Sequence, residues 1–118
     1  MHTLANHPID AATSDTVMRF FDRVSDKFDV RQVILFGSRA RGEFSADSDA
    51  DVAVLLAGKA EQFVKTKLAM ADIAFDVLLD TGIRIEPLPI WQDEWAHPAQ
   101  YRNTLLLQNI ERDGVRMK

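Results

Sequence analysis

The sequence predicts a small α/β protein, an α+β arrangement in which one mixed β-sheet carries helices. Three observations lead there. Two short apolar runs, residues 33–36 and 52–56, lie close together and are joined by a Gly-Ser turn, a basic stretch and a polar loop. Segments of helical period stand on both sides of this pair. A third, alternating segment over 83–91 adds another strand.

Taken in order, residues 1–13 carry His2, His7 and Pro8 with little pattern, and read as an N-terminal arm ahead of a single domain over 14–118. A histidine metal site is the sharper alternative for that arm. Ser14 is a suitable helix cap. Val17, Phe20, Phe21, Val24 and Phe28 then recur on one helical face, and Asp29 is expected to end the helix. Residues 31–36 form the first strand, 38–42 a short helical turn, and 43–48 a polar connection. The second strand runs over 50–56. Its period of two puts Val52, Val54 and Leu56 on one face and Asp51, Ala53 and Leu55 on the other. The small Ala53 leaves space beside the carboxylate.

A long helix is expected over 61–81. Phe63, Val64, Leu68, Ala71, Phe75 and Leu78 form its expected buried stripe, and Gly82 sits where a left-handed cap belongs. Asp76 inside it reads as surface. The alternative leaves the helix near Ala74 and makes 75–79 a strand. In the third strand, Ile83 and Ile85 alternate with Arg84 and Glu86. Pro87 and Pro89 cannot donate ladder hydrogen bonds, so this strand belongs at an edge or its end leaves the sheet. A polar turn at 93–95 precedes a last helix over 99–112, with Leu105, Leu106 and Ile110 as apolar positions and Gly114 as its stop. Trp91, Trp95 and Tyr101 cluster near this end, either as core cover or as a partner surface.

Composition bounds the function. The 118 residues, 47% of them apolar, suffice for one packed domain. With no cysteine, disulfides and thiolate metal sites are excluded, as expected of a reducing cytoplasm. No stretch has signal-peptide character or the length of a membrane span. A net charge of −4 argues against direct nucleic-acid binding.

The chemistry lies between the first two strands. Gly37 directly after a strand permits a positive φ or a close backbone approach. Ser38 adds a hydroxyl, and the turn beyond it offers backbone N–H groups suited to an anion. Asp49 and Asp51, two apart, present both carboxylates on one face. Two such groups repel, and a divalent cation with hard oxygen ligands, such as Mg²⁺, relieves that.

The run Gly37-Ser38-Arg39-Ala40-Arg41-Gly42, followed by Ser48-Asp49-Ala50-Asp51-Val52, resembles the signature of the DNA polymerase β-type nucleotidyltransferase superfamily. It resembles in particular the minimal nucleotidyltransferases of prokaryotes that pair with HEPN-family toxins. The resemblance implies a polymerase β-like nucleotidyltransferase core. It implies Asp49 and Asp51 as catalytic metal ligands for Mg²⁺, with Gly37 and Ser38 holding the phosphates of ATP. Arg39 or Arg41 would contact phosphate, Arg39 being favoured because it follows Ser38. Family members place a third carboxylate on the third strand as base and metal ligand. The candidate is Glu86, which departs from the usual Asp and is followed by Pro87. The implied role is an antitoxin that transfers AMP to a side chain of a HEPN toxin, in a hetero-oligomer. A binding-only antitoxin and a standalone transferase for small molecules are the alternatives.

Overall fold

The computed structural model describes residues 1–118. Its sheet has five strands: β1 (His2–Thr3), β2 (Val30–Phe36), β3 (Ala50–Leu56), β4 (Ile85–Trp91) and β5 (Val115–Arg116). The order across the sheet is β1-β5-β2-β3-β4. β2 runs antiparallel to both β3 and β5, while β3–β4 and β1–β5 are parallel pairs. The mixed sheet is the one expected. β4, with its two prolines, lies at the edge, because an inner strand would need the two N–H groups that proline lacks.

Helix α1 (Ala11–Ser25) begins before the expected Ser14. Asp10 is the cap, its side chain accepting from the Thr13 N–H at 3.0 Å. Residues read as an arm therefore enter the structure: His2 and Thr3 pair with β5, and His7 Nε2 lies 2.7 Å from the Ala40 carbonyl. The His2 and His7 rings stack, and no group of three candidate ligands that could hold a metal forms around them. The chain leaves α1 after Ser25, four residues before Asp29. Its apolar face is as expected. Val17, Phe20 and Val24 are fully buried, each contributing about 1.5–3 kcal/mol of burial energy.

After β2 comes α2 (Ser38–Arg41), closed by Gly42 in the left-handed conformation. The long helix α3 (Phe63–Thr81) ends on Gly82, also left-handed, so the strand alternative over 75–79 is not realised. The expected buried stripe of α3 is wrong. Met70, Ile73, Ala74 and Val77 face the sheet, while Phe63, Val64, Leu68 and Phe75 are exposed. The helix is apolar on two sides, and the smaller residues fit against the sheet.

The sheet divides the core. On one face, α1 and α3 cover Val33, Leu35, Val52, Val54 and Ile85. On the other, α5 (Thr104–Asp113) covers Ile34, Ala53, Leu55 and Ile90 with Leu107 and Ile110. Leu105 is exposed, so Leu107 rather than Leu105 is the inward position of α5. A short α4 (Gln92–Ala96) and a 3-10 turn (Pro98–Gln100) lead into α5. Trp91 is buried in the first cluster, and Trp95 and Tyr101 pack on the second.

Candidate active site

The α5-facing side of the sheet is covered only partway along the strands. Beyond Ile34 and Ala53, the next row across the sheet is Phe36–Asp51–Glu86, set by the register Phe36↔Asp51 and Asp51↔Glu86. Asp51 and Glu86 are thus neighbours on one face of parallel strands. Ala50 is fully buried, its N–H donating to the Arg84 carbonyl at 2.8 Å. That bond anchors the start of β3 and brings Asp49 and Asp51 to its rim.

Gly37 makes the close approach possible. It has φ 75° and ψ −158°, a conformation essentially reserved for glycine. A Cβ at this position would overlap Asp51 Oδ2 and stand 3.2 Å from its Cγ. The Gly-Ser turn and the Asp51 carboxylate therefore touch, and the N-terminus of α2 starts beside the acidic row. The first N–H groups of a helix have no partner within it.

The electrostatics match this crowding. Burial pushes the Asp51 carboxyl above its ordinary range, and repulsion from Asp49 and Glu86 adds to the rise, while Arg41 opposes it. Two basic residues that sequence reasoning did not assign to the site supply counter-charge. Lys67 Nζ from α3 lies 3.0 Å from Glu86 Oε1. Arg84 reaches Glu86 Oε2 at 3.5 Å and Asp49 Oδ2 at 3.7 Å. The alternation of Arg84 with Glu86 was a visible signal for one of them. Lys67 comes from a distant helix and had none.

Arg39 is placed differently from the expectation. Its side chain is 4% exposed and stacks on the Phe44 ring at 4.6 Å. Nε donates to the Ser48 carbonyl at 2.9 Å and Nη1 to Thr13 Oγ1 at 2.8 Å. Nη2 reaches the Ser45 and Ala46 carbonyls at 3.4 and 3.3 Å. Its three nitrogens are engaged by Thr13 of α1 and by the loop preceding Asp49, so it is not a free phosphate ligand. The guanidinium fork suits several carbonyls at once. Arg41, exposed and 3.5 Å from Glu43, is the basic residue of the turn that keeps a solvent-facing charge near Asp51.

Asp49 and Asp51 offer two hard oxygen donors on one rim, a partial set that suits Mg²⁺ when water and phosphate oxygens complete it. No three acidic or histidine side chains converge closely enough to hold a metal ion by themselves. Glu86, in register with Asp51, is engaged by Lys67 and Arg84.

Residues 17–105 match the family model of the nucleotidyltransferase domain. The chain belongs to this family. No curated protein matches the sequence. Among solved structures, this nucleotidyltransferase is similar to a proposed nucleotidyltransferase of Sulfolobus solfataricus, at 22% identity and TM-score 0.53, with 72% of each chain covered. It is also similar to a toxin–antitoxin complex with AMP-PNP, at 15% identity and TM-score 0.61, covering 89% of this chain and 72% of the other. A third is a tri-AMPylated Shewanella oneidensis HEPN toxin in complex with MNT antitoxin, at 13% identity and TM-score 0.55, covering 90% and 69%. At these identities the likeness is one of fold.

Proposed function

We propose that this nucleotidyltransferase is the antitoxin of a HEPN toxin and transfers AMP from ATP to a hydroxyl side chain of that partner, in the cytoplasm. The observation that carries the reading is the acidic rim of β3 touching the Gly37-Ser38 turn, with Glu86 in register beside it. A triphosphate and a carboxylate-bound metal need these two surfaces side by side. The solved toxin–antitoxin neighbours support the choice of partner, and the AMP-PNP complex among them supports the nucleotide.

In the transfer, the acceptor oxygen forms a bond to the α-phosphorus while the bond from that phosphorus to the bridging oxygen breaks. Pyrophosphate leaves with the electron pair, and the hydroxyl proton passes to a base. Gly37 and Ser38 bind the phosphates, Ser38 through its hydroxyl and the turn through backbone N–H groups. Asp49 and Asp51 would hold Mg²⁺, which when bound supplies charge neutralisation at the phosphates. Glu86 accepts the proton, once freed from Lys67. Arg84 and Arg41 offset the negative charge that the nucleotide adds.

The test is to incubate the protein with ATP, Mg²⁺ and its purified HEPN partner and to weigh the partner by mass spectrometry. An added AMP that vanishes with Asp51→Asn is the expected result. A second reading, neutralisation by contact alone, is favoured by one observation: Lys67 and Arg84 already occupy Glu86. Silencing of the HEPN ribonuclease by wild type with no mass added would select it.

A further inference from the structure

We propose that the groove between α3 and β4 seats a helix of the acceptor protein and delivers its hydroxyl to the carboxylate rim. This rests on the reading above and locates the surface that performs it.

The groove has a volume of about 370 Å³, is floored by Ile85 and Pro87, and is walled by α3. Its wall carries Val64, Leu68, Ala71, Phe75 and Leu78, in steps of four, three, four and three residues. That is the spacing of a helix-packing seam, in which apolar residues recur every three and a half positions on average. In this chain the seam faces solvent: Val64 is 68% exposed, Leu68 62% and Phe75 57%. The opposite side of α3 is already committed to the sheet through Met70, Ile73 and Val77.

Two observations narrow the occupant. β4 is an open sheet edge, which would ordinarily invite an added strand. Ala50 bonds to the Arg84 carbonyl, so the even-numbered residues of β4 are the ones that bond β3. Pro87 and Pro89 therefore fall on the open side, where they offer no N–H to a new strand. A helix, which brings its own backbone bonds, is the compatible occupant. A second copy of this chain fits poorly. Antiparallel pairing of two α3 seams about Ala71 brings Asp72 of each copy beside the other, and like charges there repel.

The groove also leads to the site. Glu86, Lys67 and Arg84 line both the groove and the acidic rim. A helix on the seam covers the Lys67–Glu86 pair, and a hydroxyl on that helix meets Glu86 without a further domain to carry it. The acceptor is thus a helical protein with an apolar stripe and a hydroxyl side chain beside it.

The experiment uses the full chain with the doubly substituted Leu68→Lys/Phe75→Glu, both at exposed positions, and Leu105→Lys on α5 as control. Circular-dichroism melting checks the fold, and a fluorescent AMP-PNP analogue checks nucleotide binding. Affinity for the purified HEPN partner is measured by calorimetry, and AMP addition separately by mass. The double variant should lose roughly tenfold or more in partner affinity, with nucleotide binding and melting unchanged and the control like wild type. Equal partner affinity in the double variant overturns the proposal. So does a wild-type dimer that the double variant dissolves, since the groove then belongs to a second copy. A HEPN protein that fails to bind wild type overturns both readings. Groove-dependent binding with no AMP added upholds the docking surface and refutes only the transferase.

Discussion

Gly37→Ala is the sharpest test of the link between the Gly37-Ser38 turn and the acidic rim. The substitution does two separable things. It places a side chain in a backbone region reserved for glycine, at φ 75° and ψ −158°, which costs roughly 1–3 kcal/mol. It also drives the new Cβ into Asp51 Oδ2. For a domain of this size each kcal/mol lowers Tm by roughly 3–6 °C, so the backbone effect alone is worth about 3–18 °C. The overlap adds to that unless the Asp51 carboxylate rotates out of the rim. Thermal melts of Gly37→Ala, Asp51→Ala and the double variant separate the two effects. Removing the Asp51 carboxylate relieves the overlap and leaves the backbone cost, so the double variant should be more stable than the sum of the singles, by about 0.5–3 kcal/mol. Nucleotide binding should fall in Gly37→Ala whichever way the overlap resolves. Additive melts, or a Gly37→Ala protein that melts and binds like wild type, would refute the claim that turn and carboxylate are in contact.

Three further outcomes follow from the site. Asp51 holds its proton more tightly folded than unfolded, so its contribution to stability falls as pH rises from the ordinary value of 3.8 through the raised one, and stays lower above it. Asp51→Asn lacks that fall; it should melt above metal-free wild type at pH 7, the gap closing as pH drops towards 3.8, and should transfer no AMP. Arg39→Lys leaves loop carbonyls and Thr13 short of donors, at about 1–3 kcal/mol for each buried group left unpaired, which chemical denaturation will show. Glu86→Gln should keep ATP·Mg binding and lose transfer by about 10²-fold, read by adduct mass over time. Unchanged transfer would make Glu86 an edge-strand surface residue.

What could be read from the chain depended on how local the determining interaction was. β3 was legible in full because residues 52–56 are a continuous apolar run, as a strand buried on both faces requires, and its neighbour precedes it closely. That the Gly37-Ser38 turn lies beside Asp51 was legible from the order of the motif, whereas the antiparallel register that sets Phe36 opposite Asp51 was not. α3 was legible as a helix, and its Gly82 cap with it, but not in its orientation. Periodicity finds an apolar stripe, and α3 has two. The bulkier one, with Phe63 and Phe75, drew the prediction, yet the sheet took the side with Met70, Ile73, Ala74 and Val77. β1 and β5 are two residues each, too short to show a pattern, and pair only across the length of the chain. Arg39 looked like a phosphate ligand because it follows Ser38. Its burial depends on where residues 44–48 fold back, which no spacing announces.

The placement of β5 inside the sheet sets an order of events during synthesis. One edge of β2 is satisfied only when Val115 and Arg116 arrive opposite Leu35 and Ile34, and when Met117 donates to the Val33 carbonyl. At about 5–20 residues per second, the ribosome needs roughly 4–16 s to make the chain between these partners. Throughout that interval Val33, Ile34 and Leu35 present an apolar strand with one open side. Such an edge recruits other strands. The yield of soluble protein from a cell should therefore respond to substitutions at Val115 and Met117, far from the acidic rim and without effect on its chemistry.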